Sequence, residues 1–156
     1  MNLIFAIVFL SFPLKDITTL NKETINLDTI YTKKPVYVSF WALWCSQCIK
    51  ELDRINKLMD SLDFFVVAVN EDGKRKMSRV GSFVKGHKWN FPVIIDKRQK
   101  LMREFGVMAL PSSFLYDTEG NLVKRFTGFS SRDEKVFLSI LDSLKSNVDT
   151  VPVSSD

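Results

Sequence analysis

The most constraining feature of the sequence is the segment YVSFWALWCSQCIKEL, residues 37–52, which holds both cysteines of the chain. The overlapping run PVYVSFW (35–41) is rich in β-branched and aromatic residues, which is typical of a central strand buried on both faces. From Cys48 onward, apolar residues recur on one helical face as far as Leu62. A buried strand therefore leads into an amphipathic helix, and Cys45 and Cys48 lie at the junction.

Strand-like and helix-like segments alternate along the rest of the chain. Buried strands are predicted at FFVVAVN (64–70) and FPVIID (91–96), with amphipathic helices between and after them. A polar turn at 21–24 predicts an N-terminal hairpin, and Gly120 predicts the turn of a second hairpin. The Ser131–Glu134 pair is a capping-box pattern for a last helix. This order predicts an α/β sandwich whose mixed central sheet has helices on both faces.

Length and composition fit one domain. The chain has 156 residues, of which 46% are hydrophobic, and this is enough for a packed core without disulfide staples. The net charge of +4 is too small to indicate nucleic-acid binding. We also expect the protein to be a monomer. The alternating pattern occupies residues 14–144, whereas 145–156 has no periodicity and is expected to be a flexible tail.

The N-terminus carries an apolar run, LIFAIVFLSF at residues 3–12, followed by Pro13. The run is too short to span a bilayer, which needs about 20 residues, and it fits the core of a signal peptide. No basic residue precedes it and no clear cleavage site follows, so a buried first element is the alternative. We expect residues 1–13 to be a leader and the protein to be exported, periplasmic or in the cell envelope. Without a signal function it would be cytoplasmic.

The position of the two cysteines indicates redox chemistry. Cys45 is predicted at a helix N-terminus, where unpaired N–H groups and the helix dipole favour a thiolate. Cys48 follows three residues later, within reach of Cys45 for a disulfide. A bridge that closes so short a loop stabilises a fold little. The pair therefore fits a reversible dithiol better than a structural clip.

The residues around this pair resemble a known family. FWALWCSQC resembles the W-C-x-x-C active site of the thioredoxin superfamily, and GVMALPSSFLYDTEGNLVKRFTG resembles the segment that carries a cis-proline opposite the dithiol. The likeness is strongest to TlpA/ResA-like exported thiol-disulfide oxidoreductases. These add an N-terminal hairpin and a helix-strand insertion, to which residues 14–34 and 74–96 are similar. The resemblance covers roughly 14–144 and implies a thioredoxin-like sandwich with that activity.

The resemblance also implies roles for individual residues. Cys45 would be the attacking thiol and Cys48 the buried resolving thiol of a redox-active disulfide. Trp44 would form part of the apolar rim around the exposed sulfur. Pro111 would be the cis-proline, and Leu110 before it would offer backbone hydrogen bonds to an extended substrate segment. An ordinary trans Leu–Pro bond that enters a strand is the alternative.

Glu51 lies three residues after Cys48, where several relatives carry a glutamate. The resemblance implies that a partly buried carboxylate with a raised pKa takes the proton from Cys48 when that thiol attacks the mixed disulfide. An acid in the first turns of a helix is also favoured by the helix dipole alone, so both accounts stay open here. Ser39 stands where thioredoxin itself has a buried aspartate, which favours Glu51 as the proton acceptor.

The residues between the cysteines bear on the direction of the reaction. Gln47 replaces a proline that relatives often carry, and no histidine separates the cysteines to stabilise the thiolate strongly. We therefore expect a reducing to middling potential and a reductant. The client would be a disulfide-bearing protein, by resemblance an apocytochrome c. No flavin or nicotinamide motif is present, so no cofactor is expected and a membrane thiol donor would re-reduce the pair.

Two other classes of protein compete with this interpretation. In a Cu(I)-binding or metal-delivery domain, both thiolates would hold the metal and Met108 could add a thioether. The single histidine, His87, lies far along the chain, and we expect no metal site. In a redox-silent interaction module neither cysteine would be needed. A peroxidase of related fold would want a threonine three residues before its cysteine, and position 42 is Ala.

A basic group follows the second predicted strand. Apolar residues at helical spacing accompany it, so it most simply forms the solvated face of an amphipathic helix. A docking surface for an acidic partner or for anionic lipid is the alternative. The group consists of Lys74, Arg75, Lys76, Arg79, Lys85 and Lys88.

Overall fold

The computed structural model of this chain describes residues 17–26 and 33–148. The expected leader at 1–13 and residues 149–156 of the expected tail lie outside the described residues. Strands β1 (Ile17–Thr18) and β2 (Thr24–Ile25) pair antiparallel and form the predicted N-terminal hairpin.

Five further strands form the main sheet, in the order β5-β4-β3-β6-β7. Strands β3, β4 and β5 pair in parallel, whereas β6 pairs antiparallel with both β3 and β7. The predicted mixed sheet is confirmed, and its central strand is buried at every residue. The strands are β3 (Val36–Trp41), β4 (Phe65–Asn70), β5 (Val93–Ile95), β6 (Ser112–Tyr116) and β7 (Leu122–Phe126).

In the described part of the chain, four α-helices connect and cover these strands. A 3₁₀ turn precedes the second helix at Lys74–Lys76, and another precedes the third at Lys97–Gln99. The last helix continues past residue 144, where the sequence pattern ended. No helix in the described part of the chain is long and apolar enough to cross a membrane. The helices are α1 (Ser46–Leu58), α2 (Met77–His87), α3 (Lys100–Glu104) and α4 (Ser131–Val148).

The alternation of side chains along β3 builds two cores, one on each face of the sheet. On one face Tyr37 lies with its ring 5.3 Å from Phe137 of α4, in a core shared with α1 and α2. On the other face Phe40 lies with its ring 5.1 Å from Phe105, beside α3 and the N-terminal hairpin. The predicted helices on both faces of the sheet are therefore confirmed.

The cap of α4 differs from the sequence prediction by one residue. The capping residue is Ser130: its Oγ accepts from the Asp133 N–H at 3.2 Å, and Asp133 Oδ2 accepts from the Ser130 N–H at 2.8 Å. Glu134 does not cap the helix, because its carboxylate accepts from the Arg54 guanidinium on α1. That ion pair joins the first and last helices of one face.

Candidate active site

The two cysteines form a disulfide at the start of α1. Cys45 is the capping residue of this helix, and its Sγ accepts a hydrogen bond from the Cys48 N–H at 3.2 Å. Cys45 is 6% exposed, whereas Cys48 is completely buried. Of the two sulfur-bearing residues only Cys45 therefore meets solvent, as an attacking thiol must.

An aspartate in the loop after β4 fixes the backbone just before the cysteines. The side chain of Asp72 is fully buried, and its Oδ2 accepts from the Leu43 N–H at 2.6 Å and from the Asn70 amide at 3.0 Å. Its Oδ1 lies 3.2 Å from the Lys76 ammonium. A buried carboxylate bonded to a backbone N–H holds a loop in place. Sequence analysis missed this contact, because it joins two loops that are distant in sequence.

Leu110 and Pro111, which are predicted to contact a substrate, lie at the end of the sheet where β3 leads into the cysteine pair. The Leu110–Pro111 peptide bond is cis, as the resemblance implied. Pairing of Phe40 with Ser112 places Pro111 beside the point where the chain leaves β3 toward Cys45. Leu110 packs partly buried against both cores.

Two large apolar side chains near the dithiol are left in solvent. Trp44, next to Cys45, is 70% exposed, and Met108, three residues before Pro111, is 90% exposed. Large apolar side chains that a monomer does not bury are typical of contact surfaces. Met108 thus joins the predicted Trp44 as a candidate residue of the apolar rim.

Glu51 is completely enclosed by protein, with 2% of its surface exposed. Its Oε1 accepts from the Tyr37 hydroxyl at 2.9 Å, from the Ser39 hydroxyl at 3.0 Å and from the Ser113 hydroxyl. Its Oε2 is buried without a hydrogen-bond partner among the described residues. One oxygen is therefore held by three donors while the other is left to hold a proton.

Burial raises the pKa of the Glu51 carboxyl above its ordinary value. The hydrogen bonds from Ser113, Tyr37 and Ser39 stabilise the carboxylate and offset part of this rise. The pKa of the Tyr37 hydroxyl is also raised, first by burial and then by the charge of Glu51. A buried carboxyl group with a raised pKa is suited to exchange a proton near neutral pH.

The helix-dipole account of Glu51 does not fit its surroundings. The first turn of α1 contains no acidic residue. Glu51 lies in the following turn, on the buried face of the helix that also carries Cys48 and Leu52. Residues three apart on a helix are neighbours, so Glu51 and Cys48 are adjacent positions on this buried face.

The hydroxyl donors around Glu51 come from positions that sequence analysis left without a role, apart from Ser39. Tyr37 lies in a run that indicates only a buried strand, and Ser113 follows the cis-proline. The sequence did hold a signal, since a serine is unusual in a strand that is buried on both faces. Ser39 and Ser113 pair directly across β3 and β6.

A second buried acidic group lies behind the active-site loop. Both oxygens of Glu71 are inaccessible and face no donor among the described residues. Burial, together with the neighbouring carboxylates Asp96 and Asp72, raises the pKa of Glu71 to about 8. Asp96 in turn caps α3 by accepting from the Leu101 and Met102 N–H groups at 3.0 and 2.9 Å. The Glu71 carboxyl therefore keeps its proton to a higher pH than an ordinary glutamate does.

No group of three or more histidine, cysteine, aspartate or glutamate side chains able to hold a metal ion occurs within the described ranges. His87 is occupied elsewhere, with its Nδ1 2.8 Å from Asp53 Oδ1. The same Asp53 oxygen accepts from the Trp89 indole at 2.7 Å. This histidine joins α2 to α1 and lies apart from the cysteines in the sequence.

The fold, the cysteine pair at a helix start and the adjacent cis-proline define a thioredoxin-like thiol-disulfide oxidoreductase. Residues 9–125 match the AhpC/TSA family. The chain is 33% identical over 119 residues to the thiol-disulfide oxidoreductase ResA of Bacillus anthracis, a match that covers 76% of this chain and 68% of that protein. The chain thus belongs to the AhpC/TSA family, among its ResA-like thiol-disulfide oxidoreductases.

Solved structures agree with this assignment. The crystal structure of StoA from Bacillus subtilis superposes with a TM-score of 0.64 and 26% identity, covering 79% of this chain and 93% of that chain. The exposed lipoprotein thioredoxin Etrx1 of Streptococcus pneumoniae superposes with a TM-score of 0.61 and 33% identity, covering 83% and 96%.

Proposed function

We propose that this protein reduces disulfides in exported client proteins, with Cys45 as attacking thiol, Cys48 as resolving thiol and Glu51 as proton acceptor. The observation that carries the proposal is the enclosed Glu51 carboxyl, with one oxygen unpartnered and Cys48 one helical turn away. A redox-silent module would need neither the thiols nor a buried acid beside them.

The reaction proceeds in two exchanges. The Cys45 thiolate attacks one sulfur of the client disulfide, that bond breaks, and the leaving client thiolate takes a proton from water. Cys48 then gives its proton to the Glu51 carboxylate and attacks the Cys45 sulfur of the mixed disulfide. The second client thiolate leaves, so the client gains two electrons and the Cys45–Cys48 disulfide forms.

The helix start and the rim serve the first exchange. The N-terminus of α1 favours negative charge on Cys45. Trp44 and Met108 offer apolar contact around this sulfur, while Leu110 and the cis-proline Pro111 offer backbone to an extended client segment. We assign all of these as client-binding residues.

The setting of the reaction follows from the resemblance. We place the protein outside the cytoplasm, with residues 1–13 as a leader, because a similar protein in Streptococcus pneumoniae is an exposed lipoprotein. A membrane thiol donor would return the two electrons, and an apocytochrome c is the client that the resemblance suggests. We assign the working domain to residues 14–144 together with the last turn of α4, which ends at Val148.

The reduction potential of the cysteine pair tests the direction of the reaction. We expect equilibration against dithiothreitol to give a value more reducing than about −220 mV, as for thiol reductants. A value near about −120 mV would make the protein a disulfide donor instead. Absence of any reversible couple would contradict both assignments.

A trapping experiment tests the roles of the two cysteines. In Cys48→Ala the mixed disulfide with a model peptide disulfide should accumulate, because no resolving thiol is left. In Cys45→Ala no adduct should form. Adducts of equal yield in the two variants would overturn the assignment of attacking and resolving thiols.

A further inference from the structure

Positive charge is concentrated in one segment of the chain. Residues 73–104 contain ten lysine and arginine residues and two acidic residues, although the whole chain has a net charge of only +4. The rest of the protein is therefore net acidic, and the α2 and α3 region is strongly basic. The ten residues are Lys74, Arg75, Lys76, Arg79, Lys85, Lys88, Lys97, Arg98, Lys100 and Arg103.

Part of this charge surrounds a cavity of about 220 Å³. Lys22 of the N-terminal hairpin, Lys74 before α2 and Lys97 after β5 line it, and none of the described acidic side chains does. None of the three forms an ion pair within the described part of the chain. The apolar lining of the cavity consists of Leu20, Met77 and Ile95. These six residues are called the basic cavity below.

The cations beside this cavity lie where the helix dipole opposes them, and one of the three is paired with an acidic residue. Lys74, Arg75 and Lys76 stand at the N-terminal end of α2, where the helix dipole disfavours positive charge. No acid lies in the first turn of α2, and among the three only Lys76 has an ion-pair partner in the described residues, Asp72. Negative charge supplied from outside would offset this repulsion.

The turn that carries Lys74 of the basic cavity also carries Lys76, which is linked to the active-site loop by the buried side chain of Asp72. Lys76 pairs with Asp72, and Asp72 accepts from the backbone of Leu43, two residues before Cys45. The 3₁₀ turn that supplies Lys74 to the cavity is therefore tied, through Lys76 and Asp72, to the loop that precedes Cys45.

We propose that the basic cavity docks an acidic segment of the disulfide-bearing client, with one apolar side chain of that segment on the Leu20–Met77–Ile95 lining. This inference rests on the proposed reductase function and names the charge of the client. The cavity is concave and smaller than the roughly 300–1,000 Å³ of small-molecule sites, so it suits a side chain. A bilayer surface, which is flat, fits it less well.

Paired substrates test the proposal. The first is a synthetic peptide with one disulfide and an extension rich in Asp and Glu around a single leucine; the second has the same disulfide and a Ser/Gly extension. At low salt we expect the second-order rate of reduction to be about tenfold higher for the acidic peptide, with the advantage lost at high salt. Equal rates for the two peptides would overturn the docking surface and leave the reductase function standing. Failure to reduce either peptide would instead contradict the reductase function.

The triple variant Lys22→Glu/Lys74→Glu/Lys97→Glu should remove the advantage of the acidic peptide and leave the rate for the Ser/Gly peptide unchanged. The matched control is Lys33→Glu/Lys34→Glu/Lys145→Glu, since these lysines line a different cavity, beside the start of β3. Equal losses in both variants would show only a net-charge effect and overturn the proposal. The neutral variant Lys22→Gln/Lys74→Gln/Lys97→Gln repeats the test if the first triple variant folds poorly.

The apolar lining and the membrane alternative are tested separately. Met77→Ser should lower the rate of reduction of the acidic peptide severalfold. When the leucine of that peptide is replaced by serine, the same variant should reduce it as fast as the wild type does. Binding of the protein to vesicles that contain phosphatidylglycerol tests the membrane alternative. Vesicle binding that the lysine triple variant abolishes, together with equal rates for the two peptides, would assign the surface to lipid and overturn the proposal.

Discussion

The hydroxyl of Ser39 donates a hydrogen bond of 3.0 Å to Oε1 of Glu51. Ser39 lies at the middle of the central strand, and Glu51 lies on the helix that follows the dithiol. The strand position that carries a carboxylate in thioredoxin itself thus supplies a donor here, and the carboxylate comes from the helix. In the proposed mechanism the proton acceptor is therefore the helix residue of this contact, three residues after Cys48 on α1.

Glu51→Gln should slow the second exchange and not the first. The amide oxygen can still accept from the three hydroxyls, but it cannot take the proton of Cys48. General base catalysis is worth about 10²-fold or more, so we expect the mixed disulfide to persist about a hundredfold longer, with a flatter pH profile. Quenched-flow measurement of its lifetime gives the result.

Glu71→Gln is the matched control for that experiment, because Glu71 is also a buried carboxyl without a described donor. In Glu71→Gln the lifetime of the mixed disulfide, and its dependence on pH, should match those of the wild type. Slowing of equal size in both variants would mean that loss of a buried carboxyl, and not proton transfer at Cys48, explains the effect.

Tyr37→Phe should raise the pKa of Glu51 further, since the Tyr37 hydroxyl stabilises the carboxylate. Loss of a hydrogen bond to a charged group should also cost about 1.5–3 kcal/mol of unfolding free energy above that pKa. Carboxyl carbon NMR of Glu51 measures the first effect and urea denaturation the second. Tyr116→Phe is the comparison, because Tyr116 does not donate to Glu51; a matching shift there would contradict the assignment.

The raised pKa of Glu71 predicts that the fold is less stable at high pH. The pKa of Glu71 is about 8 in the folded protein, against an ordinary value of 4.5. The folded state therefore binds more protons between these values, and the unfolding free energy falls as pH rises from about 5 to 9. Glu71→Gln should remove that part of the slope, by about 1 kcal/mol at pH 9, because the residue as a whole is only half-buried although its carboxyl oxygens are inaccessible.

Chemical denaturation at pH 5 and pH 9 measures this difference. The exposed Glu119 provides the control substitution, Glu119→Gln, which should leave the slope unchanged. Parallel stability curves for the wild type and Glu71→Gln would show that Glu71 titrates as an ordinary surface carboxyl.

Trp44→Ala should weaken client reduction without altering the dithiol itself. The side chain is 70% exposed, so its removal opens no cavity and the unfolding free energy should change by less than about 0.5 kcal/mol. The second-order rate with a folded client should fall about tenfold, while the reduction potential stays constant. A changed potential with an unchanged rate would place Trp44 in the redox couple and not in client contact.

Much of the fold was predictable because it depends on local periodicity. The alternation of buried strands and amphipathic helices gave the mixed sheet, and the Cys45–Cys48 pair was correctly placed at a helix start. The sequence prediction placed the cap of α4 one residue too late. Two consecutive serines, Ser130 and Ser131, can each cap the helix, and the sequence does not show that the Glu134 carboxylate pairs with Arg54 on a distant helix.

The sequence by itself determined the order of the elements, the position of the dithiol and the Leu–Pro step that follows it, because each depends on residues close in the chain. The tertiary structure alone decided what surrounds Glu51. Ser39 and Ser113 are far apart in sequence and meet through the register of β3 and β6. That register is set by packing of the whole sheet between two layers of helices, and it encloses Glu51 so that one of its oxygens meets no partner among the described residues.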